Sequence, residues 1–86
     1  MKEFERALKA LANKRRLGII KYLKVHHQAA AGDLAAAIKL SFRSTSKHLG
    51  ILKAADIVES EQRSRLVFYS LTRPHSGLVK AVINHW

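Results

Sequence analysis

Between Ser41 and Lys47 the chain reads SFRSTSK, which sets four hydroxyls, a guanidinium, an ammonium and a phenyl ring side by side. On a helix, these groups suit nucleic acid. Arg43 can donate two parallel hydrogen bonds to a guanine edge, and Phe42 can meet a thymine methyl. Ser44, Ser46 and Lys47 suit phosphates or base edges. Gly50, on the same outward face, leaves room for a close backbone approach. His48 lies on the flank of the apolar stripe, where the plain reading is a half-buried ring packed on a neighbouring helix. Arg63 and Arg65 follow in a polar turn, where cations can reach a phosphate or a narrow minor groove. The competing reading of all these residues is a solvated charged face.

Other chemistry finds less material. There is no cysteine, which excludes disulfides, thiolate metal sites and a cysteine nucleophile. His26 and His27 are adjacent, and His75 and His85 flank the last helix. Neither pair has helical spacing with a carboxylate partner, so no metal and no cofactor are expected. The carboxylates are Glu3, Glu5, Asp33, Asp56, Glu59 and Glu61. They form no paired set, no Ser-His-Asp arrangement stands out, and there is no glycine-rich phosphate loop. An enzyme is not expected.

Composition agrees with the first reading. The chain of 86 residues carries 16 Lys and Arg against 6 Asp and Glu, a net charge of +10. Such a charge attracts polyanions. The cations are spread along the chain, unlike those of a membrane-surface helix. No apolar run approaches the ~20 residues of a membrane span, and MKEFERALKA has no signal-peptide core. The expected location is the cytoplasm.

The elements that position these residues follow from periodicity. Phe4, Leu8 and Leu11 mark a first helix. Leu17, Ile20 and Leu23, with Ile19 beside them, mark a second, and Asn13 either ends the first or caps the second. HHQAAAG breaks the pattern. Leu34 and Ile38 mark a short third helix with Asp33 in its first turn. Ser41 is a good N-cap for a fourth helix running to about 54 or 55, with Thr45, Leu49 and Leu52 facing in. IVESEQ and RLVFYSL then read as a two-stranded hairpin. Beyond Pro74, SGLVKAVINHW reads as a last helix with Leu78, Val82 and Trp86 on one stripe and Val79 and Ile83 alongside. The expected fold is mainly α with a β-hairpin wing, in the order α-α-α-α-β-β-α. A short helix, a tight turn and a capped helix form a helix-turn-helix at about 31–55, and the hairpin at about 57–71 makes it winged. Residues 1–86 are expected to form one such domain.

Three stretches, ALANKRRLGIIKYL, DLAAAIKLSFRSTSKHLGILKAADIVES and SRLVFYSL, resemble the ArsR/SmtB family of winged helix-turn-helix regulators. The resemblance runs from about 7 to 71. It implies a homodimeric prokaryotic repressor that binds a palindromic operator in double-stranded DNA. It also implies a DNA-contacting histidine at His48. Three departures stand out. The family's thiolate site falls on AAAGDLA, which has no sulfur. Its last-helix metal site retains only His75, with Arg73 at the start and Trp86 at the distal position. Its wing-tip glycine is missing from Gln62–Arg65, so a longer or looser wing is expected.

The first and last helices carry more apolar surface than a monomer core requires. Phe4, Leu8, Leu11, Leu78, Val82 and Trp86 are the expected dimer interface, which would place two reading helices about one DNA turn apart, ~34 Å. The alternatives are a winged-helix module that docks a protein through this apolar surface, or a nucleic-acid binder that senses no signal. The operator, the regulated genes and the signal are not written in these residues.

Overall fold

The helical periods resolve into five helices. The computed structural model describes residues 1–86 and places α1 at Lys2–Leu11, α2 at Lys14–His26, α3 at Ala31–Ile38, α4 at Phe42–Ala54 and α5 at Gly77–His85. Side-chain caps fix three of the starts. Asn13 Oδ1 accepts from the backbone N–H of Arg15 (2.9 Å) and Arg16 (3.1 Å) and so opens α2. Ser41 Oγ accepts from Ser44 N–H at 3.1 Å, and Ser76 Oγ from Val79 N–H at 3.2 Å. Each satisfies a donor that a helix start leaves free, a contribution of about 1 kcal/mol. At the far end of α3, Lys39 takes a left-handed φ of 57°, and its N–H bonds back to the helix carbonyls.

The sheet has one strand more than the sequence suggests. β1 is Gln28–Ala30, β2 Val58–Arg63 and β3 Leu66–Leu71, all antiparallel in the order β1-β3-β2. The stretch read as a pattern break therefore pairs with the wing, with Ala29 opposite Tyr69. Three residues, two of them alanine, are too few to show a strand period. What selects the conformation is the free edge of β3, whose backbone groups need partners, and the burial of Ala29.

The wing turn also differs from expectation. Arg63 pairs with Leu66, so only Ser64 and Arg65 lie between the strands. Ser64 has φ 59° and Arg65 is not left-handed, the pattern of a type II′ turn, whose backbone matches the twist of a tight hairpin. Serine takes the position that glycine usually fills, and the wing is short.

The core joins all these elements. Ile19, Ile20 and Leu23 of α2, Leu34 of α3, and Leu49 and Leu52 of α4 are essentially fully buried, with Ile57, Val58 and Leu71 from the wing base. Thr45 is the one buried polar residue, and its Oγ1 donates to Ser41 O at 2.8 Å, so its hydroxyl is satisfied. From α5 it is Val79 and Ile83 that enter the core. The Leu78, Val82 and Trp86 stripe is left half-buried to exposed. Lys24 Nζ ties the end of α5 to α2 by donating to Ile83 O at 2.7 Å.

Candidate nucleic-acid interface

Burial of Thr45, Leu49 and Leu52 fixes the rotation of α4 about its axis. Everything roughly opposite that stripe must face out. Phe42 at its first position is 62% exposed, and Arg43, Lys47 and Gly50 are exposed. Ser44, Ser46 and His48 lie half-buried on the two flanks. A Cβ built at Gly50 would meet no atom within 4 Å, so a ligand can approach the helix closely there.

The two flanks face different neighbours. Phe42 and Ser46 line a cleft with Arg65, Leu66 and Val67 of the wing. His48 lies against α2, where its Nδ1 is 3.1 Å from Arg16 Nη1. Arginine can only donate, so Nδ1 is the acceptor, the ring is neutral, and Nε2 carries the proton. The imidazole therefore keeps one N–H to donate. Partial burial, then the charges of Arg16, Arg15 and Lys47, hold its pKa below the ordinary 6.5. Packing on a neighbouring helix, the plain sequence reading of His48, is what the geometry contains. Its free Nε2–H leaves the DNA contact that the family resemblance implies open to test.

The wing arginines are not equivalent. Arg63 Nη2 donates to Gln28 Oε1 (2.6 Å) and Glu61 Oε1 (3.2 Å), and its guanidinium lies 4.8 Å from the Phe68 ring centre. It braces the sheet. The side chain is still about half exposed, and an exposed pair with Glu61 is worth only ~0–1 kcal/mol, so Arg63 can be drawn to another anion. Arg65, at the tip, has no such bonds.

Among the histidines, His26 stacks on Tyr22 with ring centres 4.1 Å apart, and His75 Nδ1 donates to Thr72 O at 3.1 Å. No three His, Asp or Glu side chains gather at one point. Of the expected interface set, Phe4, Leu8 and Trp86 are 54%, 44% and 41% exposed, and Leu78 and Val82 are half-buried. Leu11 does not belong with them. It is 6% exposed and packed in the monomer core.

Sequence reasoning missed two groups. Leu66 and Val67 are exposed apolar residues beside α4, and no chemical pattern marked them. Arg16 looked like one cation among several, and its role emerges only when α2 is docked on α4.

Comparison with known proteins gives a consistent picture. A family model described as "Bacterial regulatory protein, arsR family" matches residues 13–60. The transcriptional activator HlyU of Vibrio cholerae is 37% identical over 76 residues, covering 88% of this chain and 67% of that protein. The transcriptional repressor SdpR of Bacillus subtilis is 35% identical over 63 residues, covering 73% and 69%. The solved structure of HlyU superposes with a TM-score of 0.82 at 33% identity over 98% of this chain and 87% of that one. A homodimeric winged helix-turn-helix DNA-binding domain from Mycobacterium bovis, described as a possible ArsR-family transcriptional regulator, gives 0.83 at 26% identity, covering 98% and 74%.

Proposed function

The chain belongs to the arsR family of bacterial regulatory proteins, and from that premise we propose that it is a homodimeric regulator that binds a palindromic operator in double-stranded DNA and represses by occupying it. α4 enters the major groove, and its first turns meet the bases. Arg43 reads guanine, Phe42 packs on a thymine methyl, and Ser44, Ser46 and Lys47 hold phosphates or base edges. His48 donates its Nε2–H from the flank. Arg65 reaches the backbone or minor groove from the wing, joined by Arg63 when it leaves Glu61. The role assigned is binding, with no reaction attached.

One observation carries this reading. Thr45, Leu49 and Leu52 anchor α4 in the core while Phe42, Arg43 and Lys47 stand exposed along its outer face. The exposed surface of Phe4, Leu8 and Trp86 supports pairing through α1 and α5, and the homodimeric M. bovis domain has the same fold. The two curated relatives carry opposite signs of regulation. Repression is favoured because a dimer on a palindrome blocks the DNA it covers.

The test is selection of bound duplexes from a random pool at moderate salt. A consensus with two-fold symmetry, half-sites ~10 base pairs apart, is the expected result. An enriched pool without symmetry would overturn the homodimer, and no enrichment would overturn sequence-specific binding.

A further inference from the structure

We infer that the groove between α2 and α3 is a second phosphate-binding track, in which Lys14, Arg15 and Lys39 hold the DNA backbone beside the segment that α4 reads. The inference rests on the DNA-binding reading above and adds a surface to it.

The groove has a volume of about 630 Å³, with Lys14, Arg15, Lys21 and Lys39 along its rim and Tyr22 and Ile38 among its apolar lining. No carboxylate lines it. The molecule's ion pairs lie elsewhere, at Lys9–Glu5 and Arg63–Glu61. Lys21 is engaged by the Trp86 ring, 5.9 Å away. The ammonium of Lys14, the guanidinium of Arg15 and the ammonium of Lys39 have no protein partner, which leaves a concentrated positive field to be neutralised from outside.

With α4 in the major groove as proposed above, the α2–α3 groove adjoins the reading helix through α2 and through the turn before Ser41. Arg16 docks the first turn of α2 onto α4 through His48, and Arg15 is near enough for its charge to act on the same ring; Lys14 opens that turn. Lys39 sits in the turn, two residues before the Ser41 cap. Phe42 and Ser46 face the wing on the other flank, and His48 is roughly 200° round the helix from Ser46 at 100° per residue. The reading helix thus has Arg65 on its wing side, Arg15 on the His48 side, and Lys39 in the turn that leads into it. The positive end of the α2 dipole adds to the same field.

Lys39 supplies a separate argument. It holds φ 57° at the position after α3 where glycine is favoured. A side chain there costs ~1–2 kcal/mol, and strain of this kind collects at functional sites. An ammonium aimed at a phosphate accounts for a lysine at this position.

Phosphate contacts have a distinct signature. Each one lost reduces the slope of log K against log salt by ~0.9 and does so for every sequence. The measurement is fluorescence anisotropy on a mixed-sequence duplex of ~30 base pairs, about three turns, between ~50 and ~200 mM salt. The proteins compared are the wild type, K14Q/R15Q/K39Q and the charge-matched control K2Q/R73Q/K80Q, with circular dichroism to confirm folding. The expected result is a slope smaller by roughly 2–3 per protomer in the groove variant, and a control close to wild type. Equal slopes in groove variant and wild type, or equal losses in groove variant and control, would overturn the proposal. If the triple variant fails to fold, the three single variants are each expected to lose ~0.9, and the charge-keeping K14R, R15K and K39R to lose nothing. A wild type that binds no duplex overturns the function reading itself, a result distinct from normal binding with an unchanged slope.

Discussion

Arg16 Nη1 lies 3.1 Å from His48 Nδ1, and the same guanidinium donates through Nε to Ala10 O at 2.6 Å and through Nη2 to Lys9 O at 3.2 Å. One side chain thus joins the end of α1, the first turn of α2 and the middle of α4. It closes free carbonyls at the end of α1, where a cation is also favoured by the helix dipole. It also fixes the ring beside the reading face.

Arg16→Met keeps the stem and removes every donor. It leaves Lys9 O, Ala10 O and His48 Nδ1 without their partner, a loss of about 1–3 kcal/mol to be read by urea denaturation. His48 also loses its nearest cation. Its NMR-monitored pKa is expected to rise toward 6.5; no movement would show that burial, with the charges of Arg15 and Lys47, sets it without Arg16.

Stability should depend on pH through His48. Its folded pKa is lowered, so at acid pH the unfolded chain binds the extra proton more readily. Stability is full above the ordinary value of 6.5, declines as the pH falls below it, and has lost this contribution once the pH is under the lowered native value. Protonation also replaces the Nδ1 acceptor with a donor facing Arg16. His48→Gln should flatten the stability profile in this window, measured by thermal unfolding across pH. An unchanged slope would place the titration elsewhere.

The sequence carries most of this architecture because its strongest signals are local. Helix stripes such as Thr45, Leu49 and Leu52, and caps such as Asn13 and Ser41, are set by residues within one or two turns. β1 was not legible, since Gln28–Ala30 becomes a strand only through the edge of β3, far along the chain. The same holds for Leu11, which looks identical to Phe4 and Leu8 on the helical period until tertiary packing sets it in the core. At the site, residue types marked Arg43, Lys47 and Arg65. Two roles depended on tertiary partners: Arg63 as a brace to Gln28, and His48 as the acceptor from Arg16.

Arg43 and Lys47 stand on the same face and should fail differently. Arg43→Ala removes the bidentate base contact proposed for this residue and is expected to cost about 1–3 kcal/mol on the selected operator while relaxing one position per half-site. Lys47→Ala should weaken all sequences alike and reduce the salt slope by ~1 per protomer. Gel shifts on matched and scrambled duplexes separate the two. Identical behaviour of both variants would remove the base-reading role of Arg43.

α1 should separate pairing from folding. Phe4 and Leu8 are exposed and Leu11 is core. Phe4→Glu with Leu8→Glu is expected to give a folded monomer by light scattering and circular dichroism. Leu11→Ala is expected to destabilise the protomer by about 2–5 kcal/mol through a cavity. A dimer that survives both glutamates would move the interface away from α1.

Lys39 and Ser64 both hold left-handed φ, at 57° and 59°, while the chain's glycines all lie at negative φ. Glycine at either position relieves ~1–2 kcal/mol of backbone strain and adds back ~0.5–1 kcal/mol of chain entropy. Each single variant should therefore gain about 0.5–1 kcal/mol, read as a higher thermal midpoint. The two should part on DNA. Ser64→Gly leaves Arg65 at the tip of the same tight turn, so affinity is expected to hold. Lys39→Gly removes a charge from the α2–α3 groove, so the more stable protein should bind duplex more weakly, with a salt slope smaller by ~0.9 per protomer. Strain kept for function has this signature, a gain in stability coupled to a loss of binding. If Lys39→Gly gains stability and binds as before, the lysine has no such role and its strain is only tolerated.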